Sequence, residues 1–360
     1  MRHIYLIRHG RPEFPNGIEC CIGQTDCPVS KEGLHQAQRL CEYFLEIPLT
    51  AVYCSTLARA EQTASAIVRK GTLLLQNEAL KELYCGDWEW LTFDEIRKNY
   101  LELYIKRESN PEQFPPARGE CFADGLRRFK AAIEQIIDES TGDIAIVAHA
   151  SVNRLFLCSQ LQKSLNEAYT IPQPYGCINE LVQENGLLKV VKAGYMPDEF
   201  PNEETMQLLC ERYRTPENVL AHCRAVADKA MQLTNKLEEG RYKLNKELIY
   251  SAAMLHDIAR TEPYHARQGA KWIAKEGYAN VAAVIAAHHD LDENENESVT
   301  EKTVVFLADK LVREVTEVSI EERFAESAAK CASAEAKALH ESRYIKALSA
   351  LERVQKLIGK

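Results

Sequence analysis

Residues Ile4–Arg11 read IYLIRHGR. A short run rich in β-formers passes directly into Arg8-His9-Gly10, and the chain then reverses through Pro12. An apolar run ending in a glycine turn predicts a buried parallel strand. Open α/β sheets place their ligands at the carboxyl ends of the strands. An imidazole and a guanidinium therefore stand together at the mouth of a sheet, where glycine lets a ligand come close. That pairing suits a phosphate. Three residues alone would read better as an exposed basic turn, so the rest of the chain decides.

Asp143–Ala148, DIAIVA, repeats the device and delivers His149 at its end. Between the two, Ser30 caps a helical pattern over Lys31–Leu45, in which Leu34, Ala37, Leu40, Cys41 and Phe44 recur at helical spacing. Ala51–Cys54 reads as a strand, and Ser55-Thr56 as the cap of a helix over Leu57–Arg69. Arg59 lies in the first turn of that helix and can reach a phosphate in the same crevice; otherwise it pairs with Glu61 or Glu82. Glu82 precedes a Gly86-Asp87-Trp88-Glu89 turn, and helices are expected near Phe93–Arg107 and Phe122–Glu139. Cys177–Gln183 and Leu187–Val191 flank Asn185-Gly186, a hairpin signal. The whole describes a three-layer α/β domain with a mostly parallel sheet and an antiparallel edge.

The chain has 360 residues, enough for two domains, with 44 Lys and Arg against 53 Asp and Glu. A net charge of -9 with no basic run argues against nucleic acid and membrane surfaces as partners. No apolar run approaches a membrane span. The N-terminus reads as a strand rather than a leader, and the twelve cysteines contain no CxxC pair, so reduced thiols and a cytoplasmic location are expected.

Residues 1–194 resemble the histidine phosphatase superfamily, also called phosphoglycerate mutase-like. The likeness rests on LIRHG (Leu6–Gly10), GQTDCPVSKEGLHQA (Gly23–Ala37), YCSTLARAEQTA (Tyr53–Ala64), LKELYCGDWE (Leu80–Glu89) and IVAHA (Ile146–Ala150). Within that superfamily the Gly23–Gly33 stretch looks most like the α-ribazole phosphatases. The resemblance implies His9 as a nucleophile forming a phosphohistidine. It implies Arg8, Arg59 and His149 around the phosphoryl oxygens, with Glu82 moving the proton. Gln24 and Thr25 are further candidates for substrate contact, and no metal is implied. Two departures bear on the pocket: Ala150-Ser151 follow His149, and Trp90 follows Trp88-Glu89, where the family usually has glycine.

From 195 to 214 prolines and glutamates break the rhythm, and this stretch is expected to be a linker. Residues 215–360 show only helical patterns, so an all-α domain is expected. His222, His256-Asp257, His288 and Asp309 fall on apolar faces of four such patterns. Burying that many polar groups unpaired is costly, and a shared divalent metal resolves the cost. This H…HD…D order resembles the HD-domain phosphohydrolases. The resemblance implies a metal site of His222, His256, Asp257 and Asp309, with His265 and His288 added in relatives that hold two metals. His289 competes with His288, which the apolar face favours. One or two ions of iron, manganese or magnesium would activate water and clamp a phosphate oxygen. Arg260, a turn beyond the HD pair, is a candidate phosphate contact; a salt bridge is its alternative.

Leu291–Thr300 reads as a solvated acidic loop, and the tail from Ala325 to Lys360 as a helix packed on the core or on a partner, a second copy included. The expectation is a bifunctional phosphohydrolase of small phosphate esters, nucleotides among them. The alternatives are a phosphatase regulated by a ligand-sensing HD module, and a mutase.

Overall fold

The computed structural model describes residues 1–291, 298–328 and 333–359. It separates into two compact units, Met1–Asp198 and Glu199–Lys360. Most of the acidic loop, residues 292–297, lies outside the described residues, as does the start of the expected tail at 329–332.

The opening apolar run forms strand β1 (Arg2–Arg8), with Ile4 to Ile7 fully covered. Helix α1 (Lys31–Tyr43) begins where Ser30 Oγ accepts from the Gly33 N–H. Then come β2 (Leu49–Cys54), α2 (Ala58–Ile67), β3 (Leu73–Gln76), α3 (Phe93–Asn99), α4 (Leu101–Ser109), α5 (Phe122–Glu139), β4 (Asp143–Ala148) and α6 (Ala150–Gln160). A hairpin of β5 (Ile178–Glu184) and β6 (Leu187–Tyr195) closes the unit. Asn185 and Gly186 turn it with φ of 52° and 78°, the paired positive values that a two-residue hairpin requires.

The sheet order is β3-β2-β4-β1-β5-β6, with β5 and β6 antiparallel and the other four strands parallel. One core packs Phe122, Phe129, Ile133 and Ile136 of α5 on one face of the sheet. The other packs Leu40, Ala60, Ala64 and Ile67 of α1 and α2 on the opposite face. This is the expected three-layer arrangement.

Four details differ from the reading of the sequence. Strand β3 was not anticipated: its three consecutive leucines show no alternation, and every residue in it is exposed. The helix expected over Phe93–Arg107 is broken at Tyr100, whose backbone (φ -133°, ψ 34°) is not helical. Helix α2 is not capped by Ser55 or Thr56; Asp26 Oδ1, from a distant loop, accepts from the Ala58 N–H at 2.8 Å. Leu34 is exposed because α1 turns Gly33, Gln36, Ala37 and Leu40 inward instead.

In the second unit, α7 (Glu203–Arg212) lies inside the stretch expected as linker and buries Met206 and Leu209. It is followed by α8 (Glu217–Glu239), α9 (Lys246–Leu255), α10 (His265–Lys275), α11 (Ala279–Ala287) and α12 (Glu301–Lys310). A two-residue hairpin, β7 (Val312–Arg313) with β8 (Thr316–Glu317), interrupts the helices. Helices α13 (Ile320–Ala328) and α14 (Ala334–Ile358) follow. Helix α14 turns Ala347, Ala350 and Val354 inward and leaves Leu339 and Ile345 exposed. No helix among the described residues is long and apolar enough to cross a membrane.

Candidate functional site

Parallel register sets the first site. Arg8 on β1 pairs with Ala148 on β4, so His9 and His149 leave adjacent strands at one level, with ring centroids 4.9 Å apart. Gly10 is required here: a Cβ on it would meet the carbonyl oxygen of Gly33 at 2.5 Å. The turn thus packs directly on the start of α1.

His9 is 4% exposed, and its Nδ1 lies 2.7 Å from the Gly10 carbonyl oxygen, to which it donates. That bond puts the lone pair on Nε2, which accepts from Arg59 Nε at 3.2 Å. Burial, then Arg59 and Arg8, push the His9 pKa well below the usual imidazole range. His149 is fully buried and its two ring nitrogens have no hydrogen-bond partner. Burial and the charge of Arg59 keep it neutral too. A buried, unpartnered imidazole beside two guanidinium groups gives this pocket donors and positive charge suited to an anion.

Arg59 pairs with neither Glu61 nor Glu82. Its Nη1 donates to the Thr25 carbonyl at 2.9 Å and its Nη2 to the Gly23 carbonyl at 2.6 Å. Arg8 donates to the Gln173 carbonyl and lies 3.5 Å over the ring of Tyr175. Behind it, Gln173, Asn179 and Asn153 form a buried amide network. Glu82 is 6% exposed and accepts from the N–H groups of Leu83, Ser151 and Val152. The last two belong to the first turn of α6, where a carboxylate is favoured. All five candidate catalytic residues therefore converge.

Gln24 and Thr25 sit on the same rim, and their bonds show a residue that the reading of the sequence left without a role. Gln24 Nε2 donates to the Glu82 carbonyl. Glu89 accepts from the N–H groups of Gly23, Gln24, Thr25 and Cys85 and from the Thr25 hydroxyl. Burial alone would raise the Glu89 pKa, but the bonds from Thr25, Cys85 and Gln24 hold it below the usual value. Glu89 thus anchors the loop whose carbonyls hold Arg59. Beside it, Trp90 has a φ of 68°, a left-handed backbone that explains why glycine suits this position.

The second site gathers residues from α8, the start of α10, and α12, and from the turns after α9 and α11. His222, His256 and His288 each bring Nδ1 within 2.8 Å of a backbone carbonyl, of Glu314, Ala253 and Ile285 respectively. Donation there leaves each Nε2 free to act as a ligand. His256 Nε2 is buried with no hydrogen-bond partner. Asp257 stands between two groups: Oδ2 lies 3.6 Å from His256 Nε2, while Oδ1 lies 3.2 Å from His265 Nε2 and 3.5 Å from His288 Nε2. Asp309 Oδ1 lies 3.3 Å from His222 Nε2 and 3.7 Å from His256 Nε2.

Among the described residues, His222, His256 and Asp257 form one candidate metal group, and His265, His288 and His289 another. Both histidines of the doublet belong to the second candidate group. The apolar face favoured His288 alone; α11 ends at Ala287 and the pair follows it. His289 Nε2 comes within 2.7 Å of His265 Nε2, too close unless something lies between their lone pairs or a proton is shared. Burial lowers the pKa of His256 to about 4 and of His289 to about 2. Asp257 and Asp309 stay ionised despite burial, held down by His265 and His288 beside the first and by Lys310 and His222 beside the second. Neutral His256 and His289 and ionised Asp257 and Asp309 are in the states that bind metals, while the Asp309 hydrogen bond raises the His222 pKa against its burial; the donor set fits a divalent ion.

Lys310, 7% exposed, was missed. It donates to Asp309 Oδ2 at 2.7 Å and to the His288 carbonyl at 3.2 Å. Arg260 Nη1 lies 3.1 Å from His265 Nε2 and 3.6 Å from Asp257.

Residues 4–195 match the histidine phosphatase superfamily (branch 1), and residues 219–314 match the HD domain. YhfR of Bacillus stearothermophilus has a similar structure, with 30% identity and a TM-score of 0.50 over 53% of this chain and 96% of that one. A Hydrogenobacter thermophilus protein named as a phosphoserine phosphatase is 26% identical over 51% of this chain and 91% of its own length. The human 6-phosphofructo-2-kinase/fructose-2,6-bisphosphatase 1 is 29% identical over 51% of this chain, which spans only 40% of the human protein. Histidine phosphatases act on small-molecule phosphate esters, and HD domains are typically metal-dependent hydrolases. The chain is a phosphatase that belongs to the histidine phosphatase superfamily, branch 1, and carries an HD domain after it.

Proposed function

We propose that the chain is a bifunctional phosphohydrolase with two independent reaction centres, working in the cytoplasm. The observation that carries the first is the Nε2 lone pair of His9, left unprotonated by the Gly10 bond, accepting from Arg59 and standing beside His149. In this reading His9 Nε2 attacks the phosphorus of a monoester and the P–O bond to the leaving group breaks. Glu82 is the proton carrier, giving a proton to the departing alkoxide and then taking one from the water that releases phosphate. Arg8, Arg59 and His149 stabilise the charge in transit. Gln24 and Thr25 shape the rim.

In the second centre His222, His256, Asp257, His265, His288, His289 and Asp309 would hold one or two divalent ions. A metal there would act as a Lewis acid and lower the pKa of water. A nucleotide is the favoured substrate class. On the same helix as His265, an open surface groove of about 230 Å³ is lined by Pro263, Tyr264, Arg267, Gln268 and Lys271. It offers an exposed aromatic ring for a base and cations for phosphates.

Separate inactivation tests the proposal. With p-nitrophenyl phosphate, His9→Ala should abolish hydrolysis in the presence of a chelator, while His256→Ala keeps it. With a nucleotide and added manganese, His256→Ala should lose activity that His9→Ala retains. A single variant abolishing both activities would refute two independent centres.

A further inference from the structure

The turn after α11 carries His288 and His289, and lysines hold it from two sides. Lys310 Nζ donates to the His288 carbonyl. Two residues further along the turn, Lys346 of α14 donates from Nζ to Asp290 Oδ1 at 2.5 Å and to the Leu291 carbonyl at 2.8 Å. The Asp290 N–H donates to the Ala287 carbonyl at 3.2 Å and closes the turn on the end of α11. Arg343, one helical turn before Lys346, brings Nε to 3.9 Å from Asp290 Oδ2. The clamp is sheltered: the Lys346 side chain is 18% exposed and Leu291 is 1% exposed.

The clamp bears on the histidines because they stand beyond the helix, where its hydrogen-bond ladder no longer fixes the backbone. His288 has an anchor of its own, Nδ1 on the Ile285 carbonyl. His289, whose Nε2 faces His265 Nε2, takes its place from the path of the turn. Ligands of a metal need such outer partners to hold their orientation. Here the partner comes from Ala334–Ile358, outside residues 219–314 that match the HD domain.

We propose that Lys346 is a positioning residue for the metal group of His265, His288 and His289, and that the group of His222, His256 and Asp257 does not depend on it. This rests on the reading of the second centre as a metal site. The test titrates the metal-free full chain with manganese and follows the paramagnetic resonance of the free ion, with circular dichroism to check the fold. Methionine at 346 keeps the apolar stem and leaves the inward face of α14, at Ala347, Ala350 and Val354, untouched. Lys346→Met should therefore bind one ion with wild-type affinity and the other about tenfold more weakly. Asp290→Asn should weaken the same ion, the double variant should lose little more than either single one, and Lys346→Arg should recover most of the affinity. Wild-type affinity for every bound ion in Lys346→Met, or equal weakening of both ions, would overturn the positioning role and leave the metal reading standing. A wild type that binds no manganese would refute the metal reading, and the proposal with it.

Discussion

Replacing Glu89 by glutamine keeps the shape of the side chain and removes only its charge and one acceptor. Two donors, the N–H groups of Gln24 and Cys85, converge on Oε1, and three, from Gly23, Thr25 and the Thr25 hydroxyl, on Oε2. Whichever way the new amide turns, its NH2 faces at least two N–H groups. Each lost partner costs about 1–3 kcal/mol. Because Glu89 is half-buried, water recovers part of this, and a loss of about 2–4 kcal/mol in urea unfolding is expected. The loop also presents the Gly23 and Thr25 carbonyls to Arg59, so binding of inorganic phosphate should weaken about tenfold, equivalent to about 1.4 kcal/mol. The difference from wild type should depend on pH with a definite sign. Glu89 has a lowered pKa in the folded chain, so its contribution is present above the ordinary carboxylate value and disappears as pH falls through the lowered one. Phosphate binding by calorimetry and unfolding at two pH values are the assays. A Glu89→Gln protein within about 0.5 kcal/mol of wild type, the range of ordinary surface substitutions, and with unchanged phosphate affinity would refute the anchoring role.

Trp90→Gly should be more stable than Trp90→Ala by about 1 kcal/mol in the same unfolding assay, because alanine keeps the left-handed strain that glycine relieves. Lys310→Met should lower the affinity of the second unit for manganese about 10–100-fold, read by metal content after dialysis, since Asp309 loses the partner that orients it. The unliganded first unit should lose stability as pH falls below about 6.5. His9 and His149 stay neutral when folded while the unfolded chain takes up protons, so each contributes a slope of at most about 1.4 kcal/mol per pH unit down to its own depressed pKa. A stability flat between neutral and mildly acid pH would contradict their burial as neutral groups.

The strands were legible where burial imposes a continuous apolar run. β1 and β4 are covered on both faces, and each ends in a histidine, so the first site could be read from two short stretches. β3 carried no such signal, because an edge strand open to solvent needs neither alternation nor flanking turns. The five convergent residues of the first site were legible as residue types at strand and helix ends. Glu89 was not, since its role is to accept bonds from a loop whose path only the fold defines. In the second unit, helical spacing placed His222 and Asp309 correctly on inward faces. It also placed His288, buried beside Asp257, but it did not bring in His289, and it could not see Lys310, because a buried lysine beside an aspartate reads as solvated surface.

The most direct measurement traps the covalent intermediate. The full chain is mixed with a radiolabelled phosphomonoester, quenched in alkali within the first turnover, digested and mapped by mass spectrometry. One alkali-stable, acid-labile phosphoryl group on His9 is expected, present in His256→Ala and absent in His9→Ala. A phosphoryl group on another residue, or turnover with no trapped intermediate under any quench, would contradict His9 as the nucleophile.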